Sequence, residues 1–227
     1  MKLEELIKHY NGHRVWKFSH REFASLGGST NGLCTALCAS WIRYHSQNDS
    51  LVNYIDSEKK PYLNEQLARY MARLNCFFNP QGFHEPELKL FFQMHGLMPL
   101  YSSHERTVLS FPEEEVLERV GYRKKRETYY KRYDPHIEAR ITHSLTGLSN
   151  CYAVILFQSA QYAHTICIWL GTAYGKVGDA NLFDTNLGEI WFSDRQDFIR
   201  FFPDFFNTFY KPKGYSHGWY VLPFAPV

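Results

Sequence analysis

The sequence lacks the features of membrane proteins, of disulfide-stabilised secreted domains and of nucleic-acid-binding proteins. None of its apolar runs approaches the ~18 residues that a membrane-spanning helix requires. Its five cysteines are odd in number and follow no framework spacing, which favours a reduced, intracellular working environment. Its net charge of +2 is too small to indicate nucleic-acid binding.

Motifs for cofactors and metals are also absent. The sequence contains no HExxH zinc motif, no Walker phosphate loop and no GxGxxG fingerprint. His9 and His13 are four residues apart, as are Cys34 and Cys38, but neither pair has a second pair at metal-ligand spacing. We therefore expect a protein that uses no metal and no cofactor.

The amino-terminal segment lacks the apolar core of a secretory signal peptide. Residues 2–10 read instead as a short amphipathic helix with Leu3, Leu6 and Ile7 on one side. We therefore expect a soluble protein without a cleaved signal peptide.

Apolar and aromatic residues are plentiful enough for one folded domain. They make up 44% and 17% of the 227 residues, and a chain of this length can bury roughly 70% of its unfolded surface. Helical periodicity predicts helices at about 33–46, from Pro61, and from Glu85 to Gly96, with a short acidic helix from Pro112 to Val120.

The carboxy-terminal third has the short apolar runs that are typical of an antiparallel sheet. Short β-branched and aromatic runs predict a hairpin of strands 151–157 and 162–170, followed by strands 181–184 and 189–192. A helix over 194–202 and a last strand over 217–222 complete the pattern, with Pro223 as the expected stop. Helices come first and strands second, which indicates an α+β fold.

We expect a single domain over residues 1–227 in which an amino-terminal helical half packs on a carboxy-terminal antiparallel β-sheet. Its expected parts are a helix and extended segment (1–26), a helical half (27–121), a basic connection (122–149) and the sheet (150–227). Within the first part, residues 11–26 are expected to be irregular. The basic connection is either a solvated link or an electropositive surface. We do not expect it to bind nucleic acid. Contact of Arg123–Arg132 with an anionic membrane surface is an alternative that the sequence does not decide.

The most informative stretch is a glycine-rich turn that runs into an apolar helix. Ser29, Thr30 and Asn31 offer capping side chains, and Cys34 then falls in the first helical turn. Unpaired N–H groups and the positive end of the helix dipole stabilise a thiolate at that place. A cysteine on an apolar helix is more often a small buried hydrophobe, but the preceding glycines fit that role poorly.

A nucleophilic cysteine needs a base and a group that orients the base. His164 lies inside an apolar strand, and Asp184 ends a neighbouring strand, so adjacent pairing can bring the two within hydrogen-bond reach. Taken singly, His164 can be a satisfied core residue, Asp184 an Asx-turn residue and Asn186 a cap of the same turn. The order Cys, His, Asp, with the nucleophile on an early helix, is the papain-like arrangement.

These residues resemble those of the YopT/AvrPphB-type effector cysteine proteases. The resemblance spans about residue 28 to the C-terminus and rests on three places: residues 32–42 around Cys34, His164, and the string Phe-Asp-x-Asn-x-Gly-Glu at 183–189. It implies a papain-like fold with Cys34 as nucleophile, His164 as general base and acid, and Asp184 as orienting carboxylate. It also implies a virulence effector that is exported from the bacterial cytoplasm and cleaves a host protein, such as a small GTPase or a kinase, inside the host cytosol.

The sequence departs from the papain-like pattern at the oxyanion hole, the set of donors that stabilises the negative oxygen of the intermediate. Papain-like enzymes place an amide side chain several residues before the nucleophile, whereas positions 28 and 29 are Gly and Ser. One donor should be the backbone N–H of Cys34, and Asn31 and Ser29 are the candidates for the second.

Two other functions fit the same pattern. The triad can instead transfer an acyl group, transglutaminate or deamidate, because water access and pocket shape decide the fate of the acyl-enzyme. Alternatively, the chain is an inactive papain-like fold that serves as a binding module through residues 122–133. We expect a monomer whose main partner is its host protein substrate.

Overall fold

A seven-stranded antiparallel sheet lies at the centre of the computed structural model, which describes residues 2–19, 23–25, 32–55, 61–78, 85–100, 134–172 and 178–227. The helices in these ranges are α1 (Leu3–His9), α2 (Cys34–Ser46), α3 (Val52–Ile55), α4 (Pro61–Phe78), α5 (Glu85–Met94), α6 (Ile137–Thr146) and α7 (Arg195–Phe209), followed by a 3₁₀ turn at Lys211–Lys213. The strands are β1 (Gly12–Trp16), β2 (Leu97–Pro99), β3 (Cys151–Gln158), β4 (Ala163–Leu170), β5 (Ala180–Asp184), β6 (Gly188–Phe192) and β7 (Gly218–Pro226).

The strands follow the order β1-β6-β5-β4-β3-β7-β2, and every neighbouring pair is antiparallel. The predicted hairpin is confirmed, since Cys151 pairs with Leu170 and Gln158 with Ala163. The four central strands are apolar nearly throughout because both faces of the sheet are covered. The α+β class predicted from the sequence is confirmed.

Alternate residues of the central strands enter two separate cores. In β3, Ala153 and Ile155 face the core that contains α1, α6 and α7, whereas Tyr152 and Val154 face the core that contains α2 to α5. The strand period of two therefore divides one apolar run between two helical layers. The second core holds helix α2 rigidly against the sheet.

Both edge strands come from the part of the chain that we expected to be irregular or helical. Strand β1 pairs with β6, and β2 pairs with β7. The expectation of an irregular segment over residues 11–26 is therefore wrong for β1. That strand alternates exposed and half-buried residues, as a half-covered edge strand does, and β2 is only three residues long.

Residues 137–146, within the stretch that we expected to be a basic connection, form helix α6. Its apolar residues Ile137, Ile141 and Leu145 recur every four positions and are fully buried. The predicted acidic helix and the cationic residues 123–132 lie outside the described ranges.

The last helix and the last strand both run past the proline at which we expected each to end. Helix α7 continues through Pro203 because its phenylalanine stripe continues, with Phe205 and Phe206 fully buried beyond the proline. In β7, the Pro223 carbonyl accepts a hydrogen bond from the Leu100 N–H, on the side away from β3. The N–H that Pro223 lacks would point to that same side, where the pairing with β2 begins only at Phe224, so the ladder with β3 is intact.

No helix within the described ranges combines the length and the apolar character needed to cross a bilayer.

Candidate active site

Cys34 is the first residue of α2 and is partly exposed, whereas most of the following residues are buried. The N-cap position is Leu33, which has no polar side chain to offer. The capping role expected for Ser29, Thr30 and Asn31 is therefore not at the N-cap, and those three residues lie outside the described ranges. Placing the sulfur at a helix N-terminus puts it in the positive end of the helix dipole.

A side chain from another helix caps α2 instead. Asn75 of α4 accepts a hydrogen bond from the backbone N–H of Ala36 at 3.4 Å and donates one to the Gly32 carbonyl at 2.8 Å. One amide thus satisfies an N–H of the first helical turn and holds the chain two residues before Cys34. Asn75 fixes the approach of the backbone to the sulfur.

His164 and Asp184 are neighbours on adjacent strands. Asp184 pairs with Ile166 across β4 and β5, so it lies diagonal to His164, two residues back along β4. The His164 Nε2 atom is 3.2 Å from Asp184 Oδ1, and both side chains are buried. Because Nε2 faces the carboxylate, Nδ1 is left for the Cys34 sulfur, which hydrogen-bonds the imidazole.

The electrostatics favour a charged pair at Cys34 and His164. Burial by itself would raise the pKa of the Cys34 thiol, but the hydrogen bond and charge of His164, with contacts to Thr165, lower that pKa below its usual value. Burial would lower the pKa of His164, yet the Asp184 carboxylate and Cys34 raise it to about 9. Both shifts favour a thiolate at Cys34 paired with an imidazolium at His164.

Asp184 stays ionised because it has several donors around it. Burial would raise the pKa of the carboxyl, but His164, the Tyr210 hydroxyl and the Asn186 backbone N–H lower it below its usual value. The Asn186 N–H donates to Oδ1 at 2.8 Å, and Tyr210 donates to Oδ2. A buried carboxylate with both oxygens paired has a fixed orientation.

The side-chain amide of Asn186 also reaches the histidine. It lies 3.2 Å from His164 Nε2, the nitrogen that faces Asp184. The amide atom at that distance is the nitrogen Nδ2, so the amide lies against the same imidazole nitrogen as the Asp184 carboxylate. Asn186 therefore does more than cap the turn after β5.

The specified residues of the Phe-Asp-x-Asn-x-Gly-Glu string at 183–189 contact different parts of the fold. Phe183 stacks on Trp41 of α2 with ring centroids 5.8 Å apart, and Glu189 accepts a hydrogen bond from the Trp41 indole at 3.1 Å. Gly188 has φ +101, and a Cβ there would lie 2.0 Å from the Trp16 carbonyl oxygen of β1. The string thus holds α2, the catalytic candidates and the edge strand in one arrangement.

The threonine next to His164 faces the nucleophile helix. The Thr165 hydroxyl lies 3.0 Å from the Thr35 hydroxyl, and both side chains are buried. Thr165 also hydrogen-bonds the Cys34 sulfur through its side chain and backbone. Strand β4 therefore supplies polar groups to Cys34 from two successive residues.

The other cysteines have different surroundings. Cys38, Cys151 and Cys167 are buried, and burial raises the pKa of each thiol, for Cys151 to about 12. Cys76 is exposed on α4. The pKa of the Cys34 thiol, by contrast with those three, is lowered by a histidine.

The structure therefore brings Cys34, His164 and Asp184 together. The oxyanion-hole candidates Asn31 and Ser29 lie outside the described residues. Sequence reasoning missed Tyr210, Thr165 and Asn75, since a tyrosine after an aromatic helix, a strand threonine and a helix asparagine carry no chemical signature of their own. Their roles follow from contacts between distant parts of the chain.

Comparisons with known proteins identify relatives in Yersinia, although no family model matches the chain. The chain is 26% identical over 235 residues to "Cysteine protease YopT" of Yersinia pestis and equally so to that of Yersinia pseudotuberculosis. It is 24% identical over 234 residues to "Cysteine protease yopT1" of Yersinia enterocolitica. Each alignment covers 98% of this chain and 67% of the relative.

Two solved structures are similar at low sequence identity. The Pseudomonas avirulence protein AvrPphB superposes with a TM-score of 0.49 at 13% identity, covering 88% of this chain and 94% of that one. PatoxP, a cysteine protease-like domain of the Photorhabdus asymbiotica toxin PaTox, gives a TM-score of 0.42 at 12% identity, covering 98% of this chain and 57% of that one.

Proposed function

We propose that this chain, a relative of the YopT cysteine proteases of Yersinia, is an effector cysteine protease that hydrolyses a peptide bond of a host protein with Cys34 as nucleophile. His164 is the general base and acid, and Asp184 orients its imidazole. The observation that carries the proposal is the series of hydrogen bonds from Cys34 to His164 and from His164 to Asp184. Cys34 is the first residue of a helix whose following residues are mostly buried. The lowered pKa of the Cys34 thiol and the raised pKa of His164 support the same roles.

The first half of the reaction forms a thioester. The Cys34 thiolate attacks the carbonyl carbon of the scissile bond, and the carbonyl oxygen becomes an anion. The backbone N–H of Cys34 is placed to donate to that anion, since the first N–H groups of a helix have no carbonyl partner within the helix. The C–N bond then breaks as the His164 imidazolium gives its proton to the leaving amine.

The second half restores the ion pair. A water molecule attacks the thioester carbon and passes a proton to the neutral His164 imidazole. The C–S bond breaks, the carboxylic acid product leaves, and the site returns to thiolate and imidazolium. The Asp184 carboxylate stabilises the imidazolium at both stages and keeps Nδ1 directed at the sulfur.

The proposal extends to the kind of substrate and to where the protein acts, and the similarity to YopT supports it. We propose that the protein is exported from a bacterium and acts on a host protein in the host cytosol. The anionic-membrane contact through Arg123–Arg132 remains a proposal for the same setting, because it would hold the enzyme near membrane-attached substrates.

The experiment incubates the purified chain with a eukaryotic cytosolic extract and identifies new protein amino termini by mass spectrometry. Cys34→Ala is the inactive variant, and Cys76→Ala is the matched control because that cysteine is exposed and is not a member of the proposed triad. We expect new termini with the wild type and with Cys76→Ala, and none with Cys34→Ala.

Two outcomes contradict the proposal. Equal numbers of new termini with Cys34→Ala would assign the cleavage to another enzyme. Deamidated, cross-linked or acylated proteins that depend on Cys34, without new termini, would replace hydrolysis by one of the other fates of the acyl-enzyme.

A further inference from the structure

A tyrosine near the carboxy-terminal end contacts two members of the proposed triad at once. Tyr210 directly follows α7, and the 3₁₀ turn begins at the next residue. Its hydroxyl donates to Asp184 Oδ2, the oxygen that does not face His164. Its ring stacks on the His164 imidazole with centroids 5.2 Å apart and an interplanar angle of 21°. The side chain is 2% exposed.

The two oxygens of Asp184 therefore have different hydrogen-bond donors. Oδ1 accepts from His164 Nε2 and the Asn186 N–H, while Oδ2 accepts from the Tyr210 hydroxyl. Without a donor at Oδ2, the plane of the carboxylate would be less firmly fixed about the Cβ–Cγ bond. A donor on a rigid aromatic ring, packed on the same imidazole, limits rotation about that bond.

Tyr210 is itself held from several sides. Its ring packs against Phe157 of β3 at 4.7 Å and against Phe205 and Phe206 of α7 at 5.7 and 5.9 Å between centroids. The α7 residues belong to the stripe that continues past Pro203. The carboxy-terminal turns of α7 thus hold the Tyr210 hydroxyl in a fixed position next to Asp184.

Resting on the proposed function, we infer that Tyr210 is a positioning residue: its hydroxyl holds the Asp184 carboxylate with Oδ1 toward His164, and its ring supports the imidazole. It acts through Asp184 and His164 and need not touch the substrate. Burial and the neighbouring carboxylate raise the pKa of Tyr210 well above its usual value, so the hydroxyl keeps its proton and remains a donor across the working pH range.

The other titratable groups around this cluster come from three elements. Cys34 faces His164 from α2, and Tyr215 and Lys213 lie beside the Tyr210 ring from the segment after α7. Cys38 and Cys167 lie behind Asp184 and have pKa values raised by burial.

The test is the pH dependence of Cys34 alkylation by iodoacetamide in the folded full chain, followed by mass spectrometry of the Cys34 peptide. Tyr210→Phe keeps the ring and removes the donor. Loss of one hydrogen bond to a charged group predicts a roughly 10-fold or greater drop in alkylation rate at acid pH. Equivalently, the pH of half-maximal rate rises by about one unit, because a less firmly held carboxylate supports the imidazolium less well.

Tyr10→Phe is the matched control. Tyr10 also donates its hydroxyl to a carboxylate of α7, Asp204 Oδ2, at 2.5 Å, but that hydrogen bond is exposed. We expect its profile to equal the wild-type profile.

A double-variant cycle tests whether Tyr210 acts through the carboxylate. In an Asp184→Ala background, Tyr210→Phe should change the Cys34 profile by less than twofold, because no carboxylate remains to be held. An unchanged profile for Tyr210→Phe, or an equal effect with and without Asp184, would overturn the inference.

A further readout separates a purely structural role from a positioning role. If Tyr210→Phe lowers the unfolding free energy and leaves the profile of the folded fraction unmoved, Tyr210 only stabilises the fold and the inference fails. Alkylation needs no proteolytic substrate, so this result stands apart from the fate of the protease proposal.

Discussion

Replacing Asp184 by Asn removes the negative charge that lies 3.2 Å from His164 Nε2 and keeps the shape of the side chain. The amide oxygen can still accept from His164 and from the Asn186 N–H, while the amide NH₂ group takes the place of Oδ2 and must donate to the Tyr210 hydroxyl. The change therefore removes the charge that acts on His164 and keeps the size of the side chain.

The size of the effect follows from the burial of the imidazole. The carboxylate and Cys34 raise the pKa of His164 from 6.5 to about 9 even though burial acts in the opposite direction. One pKa unit is about 1.36 kcal/mol, so this rise corresponds to roughly 3 kcal/mol in favour of the imidazolium. With the charge removed, burial acts with little opposition, and we expect the pKa to fall below 6.5.

The assay is an NMR titration of the His164 ring, assigned with His164→Gln. Asp204→Asn is the matched control, since Asp204 is a surface carboxylate that accepts a hydrogen bond from Tyr10. We expect a His164 pKa near 9 in the wild type and in Asp204→Asn, and below 6.5 in Asp184→Asn. A value that stays near 9 in Asp184→Asn would refute the electrostatic reasoning.

The same shift has a consequence for stability. A folded-state pKa above the unfolded value stabilises the protein fully below about pH 6.5 and progressively less as the pH rises through about 9. The unfolding free energy of Asp184→Asn should thus lie below that of the wild type near neutral pH. Urea unfolding should show this difference shrinking between about pH 7 and pH 10. A difference that is constant over that interval would contradict the assignment.

Two further substitutions test the support around the site. Asn75→Ala removes the hydrogen bonds to Ala36 and Gly32, and we expect a loss of about 1 kcal/mol in urea unfolding, as for a lost N-cap, together with slower alkylation of Cys34. Unchanged values of both would contradict the capping role. Gly188→Ala places a Cβ 2.0 Å from the Trp16 carbonyl at φ +101, and we expect a loss of at least about 3 kcal/mol by the same measurement. A loss below about 1 kcal/mol would show that β1 moves aside easily.

The elements that could be predicted from the sequence are those whose apolar residues recur at a regular spacing or form an unbroken run. Helix α2 and the β3–β4 hairpin are of this kind, because each buries nearly all of its central residues. The pairing of His164 with Asp184 could also be predicted, since both end up near the ends of consecutive antiparallel strands. The residue types and the pairing of adjacent strands are sufficient to predict that contact.

The elements that were missed depend on neighbours distant in the sequence. Strand β1 becomes a strand only by pairing with β6, and its half-polar pattern does not show that partner. Helix α7 passes Pro203 because its aromatic face is anchored on the sheet, a contact that outweighs the local cost of proline. Helix α6 is different, since its four-residue spacing was present in the sequence beside the cationic run.

The support around the site could not be predicted for the same reason. Tyr210 is 26 residues from Asp184 and Asn75 is 39 residues from Ala36, and only the packing of helices on the sheet brings them together. Reactive residue types identify a nucleophile and a base. The groups that orient them are ordinary amides, hydroxyls and rings, which become recognisable only through their contacts.

The central claim is that His164 activates Cys34, and the most direct test compares cysteine reactivities within one molecule. The folded chain is treated with iodoacetamide at about pH 6, and the alkylation rates of Cys34 and the exposed Cys76 are measured by mass spectrometry. We predict that Cys34 reacts at least about tenfold faster than Cys76, and that His164→Gln removes this advantage. Cys76 reacting as fast as Cys34 in the wild type would contradict the account.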